Sequence, residues 1–338
     1  MTLDMQPTDA PSGLVTPDMP ERYFDRFMFN LHPVDGSVPW IIVGAGLYPR
    51  RDVVDGFAVV VEGAEQRNLQ FSSLLSYSAP DHVGPLSWEV VKPNDHWRVR
   101  LDDPATGVLL EFDWHQRAPA WQGDVVVENT GSTATRFTHL FQSGLVQGRF
   151  VLDGETTVIE DWYSQRDRSV GVRTMAGGQG LHVWLQAQFP DCSVGFLLVE
   201  SRDGTRLQLE GAIMHTDGRI DPIVAVTHDF EFDEGLDLRG GRVVVITAGG
   251  ESTEIDVDAS LRGGYMAGAG YGGHHGVDHG AQWAMRDRYP LDGTVSPRSL
   301  DTPLTDRLAQ FTRNGVAGSG IVEFAHSRSS SYAYRPTI

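Results

Sequence analysis

A chain of 338 residues is long enough for two domains of ordinary size, and 40% hydrophobic with 21% charged residues is the composition of a globular protein, not a disordered one. The balance of 45 acidic against 27 basic residues leaves a net charge of −18, which argues against nucleic acid or an anionic membrane surface as a partner. The longest apolar runs, such as Val194–Val199 and Val243–Ile246, fall far short of the roughly 18 residues that a membrane-spanning helix needs.

Residues 1–20, MTLDMQPTDAPSGLVTPDMP, are polar, acidic and proline-rich and lack the basic start and apolar stretch of a secretion signal; they read as a disordered or extended tail on a cytoplasmic protein. Short segments rich in Val, Ile, Leu, Phe, Thr and Trp follow, punctuated by glycine. Val38–Tyr48, Phe57–Glu62, Leu69–Tyr77, Trp97–Leu101, Val108–Trp114 and Asp124–Glu128 form a first series of predicted strands. In Val108, Leu110, Phe112 and Trp114 the apolar positions alternate with polar ones, the period of two of a half-buried antiparallel strand. A second series comprises Gly171–Thr174, His182–Gln188, Ser193–Ser201, Arg206–Met214, Ile220–Phe232, Gly241–Thr247 and Thr253–Leu261. Asp-Gly pairs at 203–204 and 217–218 and the DEG at 233–235 supply hairpin turns.

This even spacing predicts an all-β protein of two tandem antiparallel barrel or sandwich domains, residues 21–165 and 166–338. One helix is expected, Pro303–Phe311, with Leu304, Leu308 and Phe311 on one face and Asp306 and Arg307 outward, packing over a barrel end. Residues 263–280 hold many glycines and no strand pattern, so they read as a long and functional loop. The lone Cys192 cannot form an internal disulfide and reads as a buried thiol.

Phosphoryl, acyl-serine and nicotinamide chemistry lack their usual carriers: Gly44-Ala45-Gly46 lies in a strand series, and there is neither a GxSxG elbow nor a CxxC pair. The densest polar cluster, GYGGHHGVDHG at 270–280, gathers His274, His275, Asp278 and His279 ahead of Trp283 and behind Tyr271. Such a loop could pass protons, contact substrate, bind a metal or simply be polar; its spacing differs from the HxHxDH of metallo-hydrolases, so no metal is assigned. A second cluster, Glu160–Arg173, interleaves acids and arginines with Trp162 and Tyr163. It reads either as a pocket floor, with Asp161 or Asp167 clamped by Arg168 or Arg173, or as an interdomain salt-bridge network.

The string RDRSVGVR at Arg166–Arg173 resembles the D-(R or H)-S-W-G-V-R signature of the carotenoid 1,2-hydratase-like, AttH-like proteins built from two lipocalin-like β domains. The GYGGHHGVDHG loop with Trp283 and the closing GSGIVEFAHS at Gly318–Ser327 resemble that superfamily's late glycine-rich loop and last strand. The motif carries over as Asp167, Arg168, Gly171 and Arg173, with Val170 where the pattern has tryptophan. The resemblance implies a cavity near the interface of the barrels that accepts long apolar molecules, and alkene protonation by a carboxylic acid without metal or organic cofactor.

Such an acid must stay protonated near neutral pH, which needs a dry site or a neighbouring carboxylate. Two readings follow. The first is a lyase or isomerase (hydratase, dehydratase or cyclase) acting on a small apolar isoprenoid-like or steroid-like substrate. Asp167 or Asp278 is its expected acid, with Asp161 a further candidate; His274, His275 or His279 relay protons, and Arg168, Arg173, Trp162, Tyr163, Trp283 and Tyr271 contact substrate. The second is a non-catalytic lipid or terpenoid carrier using the same cavity. The oligomeric state is open, a homodimer included.

Overall fold

The computed structural model describes residues 9–127, 135–172 and 179–326, and their regular structure is almost entirely β. In chain order the strands are β1 (Tyr23–His32), β2 (Trp40–Tyr48), β3 (Val53–Glu62), β4 (Glu65–Leu74), β5 (His82–Val83), β6 (Leu86–Lys92) and β7 (His96–Asp103). Next come β8 (Val108–Gln116), β9 (Trp121–Val127), β10 (Thr135–Leu152), β11 (Glu155–Val172), β12 (Gln179–Gln188), β13 (Cys192–Ser201) and β14 (Arg206–His215). The last are β15 (Ile220–His228), β16 (Glu231–Phe232), β17 (Leu238–Thr247), β18 (Ser252–Asp258), β19 (Trp283–Pro290), β20 (Thr305–Arg313) and β21 (Val316–His326).

One large antiparallel sheet runs in the order β19-β4-β3-β2-β1-β11-β10-β8-β7-β6-β5, with β9 pairing the first part of β10. The second sheet, β15-β14-β13-β12-β21-β20-β18-β17, closes through β17–β15 pairing into an eight-stranded antiparallel barrel, which leaves those strands no free edge. β11 runs unbroken through Gln165 and Arg166, and β19 returns late in the chain to pair with β4 of the first sheet. Among the described residues no helix is long and apolar enough to cross a membrane.

Three apolar cores follow from the two-residue period. The concave side of the first sheet encloses one, with Phe29, Trp97, Phe112 and Trp114 packed edge to face. The barrel interior encloses another, including Phe196, Val243 and Phe311. The third lies between the two sheets and draws Phe24, Met28, Ile42 and Phe141 from one side and Trp184, Leu197, Leu308 and Ile321 from the other. Residues 9–20 form no strand, and Asp9 is only 3% exposed; it accepts hydrogen bonds from Arg166 Nη1 (2.6 Å) and Trp97 Nε1 (3.0 Å) inside the first sheet's hollow.

The segment expected as a helix is strand β20. Leu304, Leu308 and Phe311 have helical spacing, but Leu308 packs between the sheets while Ala309 and Phe311 face the barrel interior. Both faces are covered, so the alternation that marks a half-buried strand is erased from the sequence. Asp306, read as outward on that helix, is fully buried.

Candidate active site

A small cleft with about 40 Å³ of free space lies between the sheets; its lining includes Phe24, Arg26 and Met28 of β1, His139 of β10, and Asp167 and Ser169 of β11. The barrel adds His182 and Trp184 of β12, Leu197 of β13 and Glu323 of β21, and the glycine-rich loop adds Tyr271. Strand alternation selects these side chains. Met28 is the register partner of Asp167, and Arg26 of Ser169, so these four share the face turned toward the barrel. Arg166 and Arg168 fall on the opposite face: Arg166 reaches Asp9 and lies over the Trp97 and Trp114 rings, and Arg168 pairs with Asp25 at 2.9 Å. Consecutive residues of a strand cannot clamp one another across it, so Asp167 takes its cation from elsewhere.

That cation is His139. Its Nε2 lies 3.0 Å from Asp167 Oδ2 and its Nδ1 2.5 Å from Glu210 Oε1, while Phe141 packs edge-on at 5.4 Å. Burial works against the imidazolium, but the charges of Asp167 and Glu210 and their hydrogen bonds outweigh it and push its pKa up to about 10. Both ring nitrogens therefore donate at neutral pH. Glu210 is fixed in turn by the Trp121 indole N–H at 3.1 Å, and Gly123 leaves it room: a Cβ there would stand 1.8 Å from Glu210 Oε2.

The barrel wall carries a second acid–base group. Asp306 and Glu323 are directly opposed across β20 and β21, close enough to hydrogen-bond. Burial first, then the charge and hydrogen bond of Glu323, hold Asp306 well above the ordinary carboxylate range. The charge of Glu323 thus adds to burial in favouring the protonated form of Asp306. Glu323 meets His182 Nε2 at 2.8 Å and Asp306 accepts from Asn30 Nδ2 at 3.4 Å, so the pair is braced from both sheets.

The glycine-rich loop is laid along β4, where Gln66 both accepts from the Tyr265 N–H and donates to its carbonyl at 2.9 Å. Of its residues, Tyr271 lines the cleft and His275 lies behind it. Asp55 accepts from the Gly276 N–H at 2.8 Å and faces His275 Nδ1 at 3.3 Å, while the Arg26 guanidinium donates to Nε2 at 3.2 Å. Burial and the nearby Arg26 charge lower the His275 pKa, keeping it a neutral ring with its proton on Nδ1. Gly276 adopts φ +66°, and a Cβ there would come within 2.7 Å of the Tyr48 ring, so glycine is required where the loop docks.

The remaining candidates stand elsewhere. His274, His279 and Trp283 stack on one another, with His279 and Trp283 centroids 4.2 Å apart, and Trp283 lines a separate groove with Phe71, Tyr77 and Arg286. Asp278 is exposed and accepts from the Gly280 N–H within its own turn. Asp161 is exposed at φ +53° and accepts from Gln147. Trp162 packs in the core of the first sheet, and Tyr163 carries Arg117 over its ring at 4.7 Å. Arg173 lies outside the described residues. His139, Glu210, His182, Asp306 and Glu323 were not singled out from sequence. The available signal was a charged residue on an apolar strand face, as His139 is between Phe137 and Phe141.

The fold, a closed eight-stranded barrel beside a large antiparallel sheet, is in line with two lipocalin-like β units and is similar to that of solved AttH-like proteins. An AttH-like protein from Nitrosomonas europaea superposes with a TM-score of 0.55 at 13% identity, covering 92% of this chain and 94% of that one. CghA with Sch210972 superposes at 0.50 and 12% identity over 95% and 96% of the two chains. Kievitone hydratase from Nectria haematococca gives 0.47 at 10% identity over 94% and 95%. No curated protein matches the chain in sequence. Residues 6–327 match the model of a family of unknown function, DUF8625, and the chain belongs to that family.

Proposed function

We propose that the protein is a lyase or isomerase, a hydratase, dehydratase or cyclase, that turns over an apolar isoprenoid-like or steroid-like substrate with its own side chains as acid and base. The observation that carries this is the placing of an opposed Asp306–Glu323 carboxyl pair on the barrel wall across the cleft from an Asp167–His139 ion pair. Adding water to an alkene requires a proton donor on one side and an acceptor on the other. Glu323 faces the cleft and gives the alkene carbon the proton held by the pair; water adds to the resulting cation while Asp167 accepts the proton released. Elimination runs the same steps backwards, and solvent returns the proton between the two groups. Trp184 and Phe24 line the cleft, and their aromatic rings supply the π surface that stabilises the transient positive charge.

This reading moves the acid from Asp167 to the Asp306–Glu323 pair and gives Asp167 the accepting role. Incubating the purified protein with unsaturated isoprenoids, steroid alkenes and the corresponding alcohols in D2O tests it by mass spectrometry. A substrate should gain or lose water, or take up deuterium, and Glu323→Gln and Asp167→Asn should each remove that change. If bound compounds are always recovered unchanged and unlabelled, the cleft belongs to a carrier.

A further inference from the structure

Arg26 is a guanidinium at the cleft whose donors are mostly unused. Of the five N–H groups an arginine carries, one is given to His275 Nε2, and the group lies 4.9 Å over the Tyr271 ring. Among the described residues no carboxylate comes within ion-pair distance of it, although Asp55 and Asp167 are near enough to favour its charge. Arg26 is partly exposed, and the exposure is to the cleft that it lines. Its orientation is fixed from behind by the Asp55–His275–Arg26 chain, in which each partner is committed to one hydrogen-bonding role.

We infer that Arg26 is the recognition site for a carbonyl oxygen on the substrate's otherwise apolar frame. This rests on the reading of the cleft as a substrate site and narrows its substrate class. A planar guanidinium stacked on an aromatic ring offers parallel donors to a carbonyl lone pair. A carboxylate suits the site less well, because Asp55, Asp167, Glu210 and the carboxyl pair already crowd the surroundings with negative charge. Phe24, Met28, Trp184 and Leu197 give the rest of the molecule an apolar bed.

Three probes with one skeleton test this: 2-acetylnaphthalene, 2-naphthoate and 2-ethylnaphthalene, titrated calorimetrically into the wild-type protein, Arg26→Met and Arg26→Lys. The ketone should bind about tenfold or more tighter than the ethyl compound, as a hydrogen bond to a charged donor allows. That ratio should fall to near one in Arg26→Met and shrink in Arg26→Lys, with 2-ethylnaphthalene affinity held. An unchanged ratio in either variant, tighter binding of the naphthoate, or no binding of any probe to the wild type overturns the assignment. Because the readout is binding, a collapse of the ratio upholds the carbonyl site even where no substrate is turned over.

Discussion

His139 holds its charge against its surroundings, and the sign of that effect is measurable. Its folded pKa, pushed up to about 10 from an ordinary 6.5, means that its contribution to stability is complete below pH ~6.5 and is lost as pH rises through ~10. The melting temperature should therefore decline across that alkaline window, and His139→Gln should flatten the decline; a wild-type curve already flat there would contradict the ion-pair arrangement. Asp306 also has a raised pKa, so the folded state gains from its proton at low pH and loses that gain as the carboxyl is forced to ionise. Asp306→Asn is expected to melt higher than wild type at pH 8 but not at pH 4, while losing turnover. Activity retained with stability lowered at both pH values would make the pair structural.

Within elements, alternation decides what each neighbour can do. On β11, Asp167 reaches the cleft, whereas Arg166 and Arg168 turn into the first sheet's hollow and are neutralised there by Asp9 and Asp25. Removing one partner of a buried ion pair leaves the other charge stranded, at a cost of about 3–5 kcal/mol. Asp9→Ala should destabilise the protein by that order in urea unfolding, which would show residues near the N-terminus to be part of the fold; a change under about 1 kcal/mol would place Asp9 outside it. On β9, Gly123→Ala drives a methyl group into the Glu210 carboxylate. The expected result is a loss of turnover and of the alkaline melting limb, because Glu210 helps to hold the His139 charge. Of these strands, β10 was not among the predicted ones, so His139 had no face assigned. Glu210 lay on a predicted strand, but its partner 71 positions away was invisible.

Across the whole molecule, the middle core joins the two sheets, and β19 ties the late part of the chain back to β4. Calorimetry should show one unfolding transition for both sheets, and Leu308→Ala, which empties a 2% exposed site between them, should cost about 2–5 kcal/mol and lower that transition as a unit. Two resolved transitions, with the mutation shifting only one, would mean that the sheets fold independently. The cleft exists because this middle core is interrupted by charged groups from β1, β10, β11, β12 and β21.

The sequence by itself determined the β architecture, since glycine punctuation and two-residue alternation are local properties of the chain. The RDRS string also brought Asp167 forward, and the glycine-rich loop brought Tyr271 forward; both line the cleft. Only the tertiary structure decided that the segment expected as the helix Pro303–Phe311 runs into strand β20 (Thr305–Arg313), because a strand buried on both faces has no polar side to show its period. It alone also decided the chemistry of the cleft. The imidazolium of His139 meets Glu210 because β14, distant in sequence from β10, becomes its neighbour, and the carboxyl pair made by 306 and 323 on one hairpin has its proton affinity set by burial between the sheets, which no local pattern encodes.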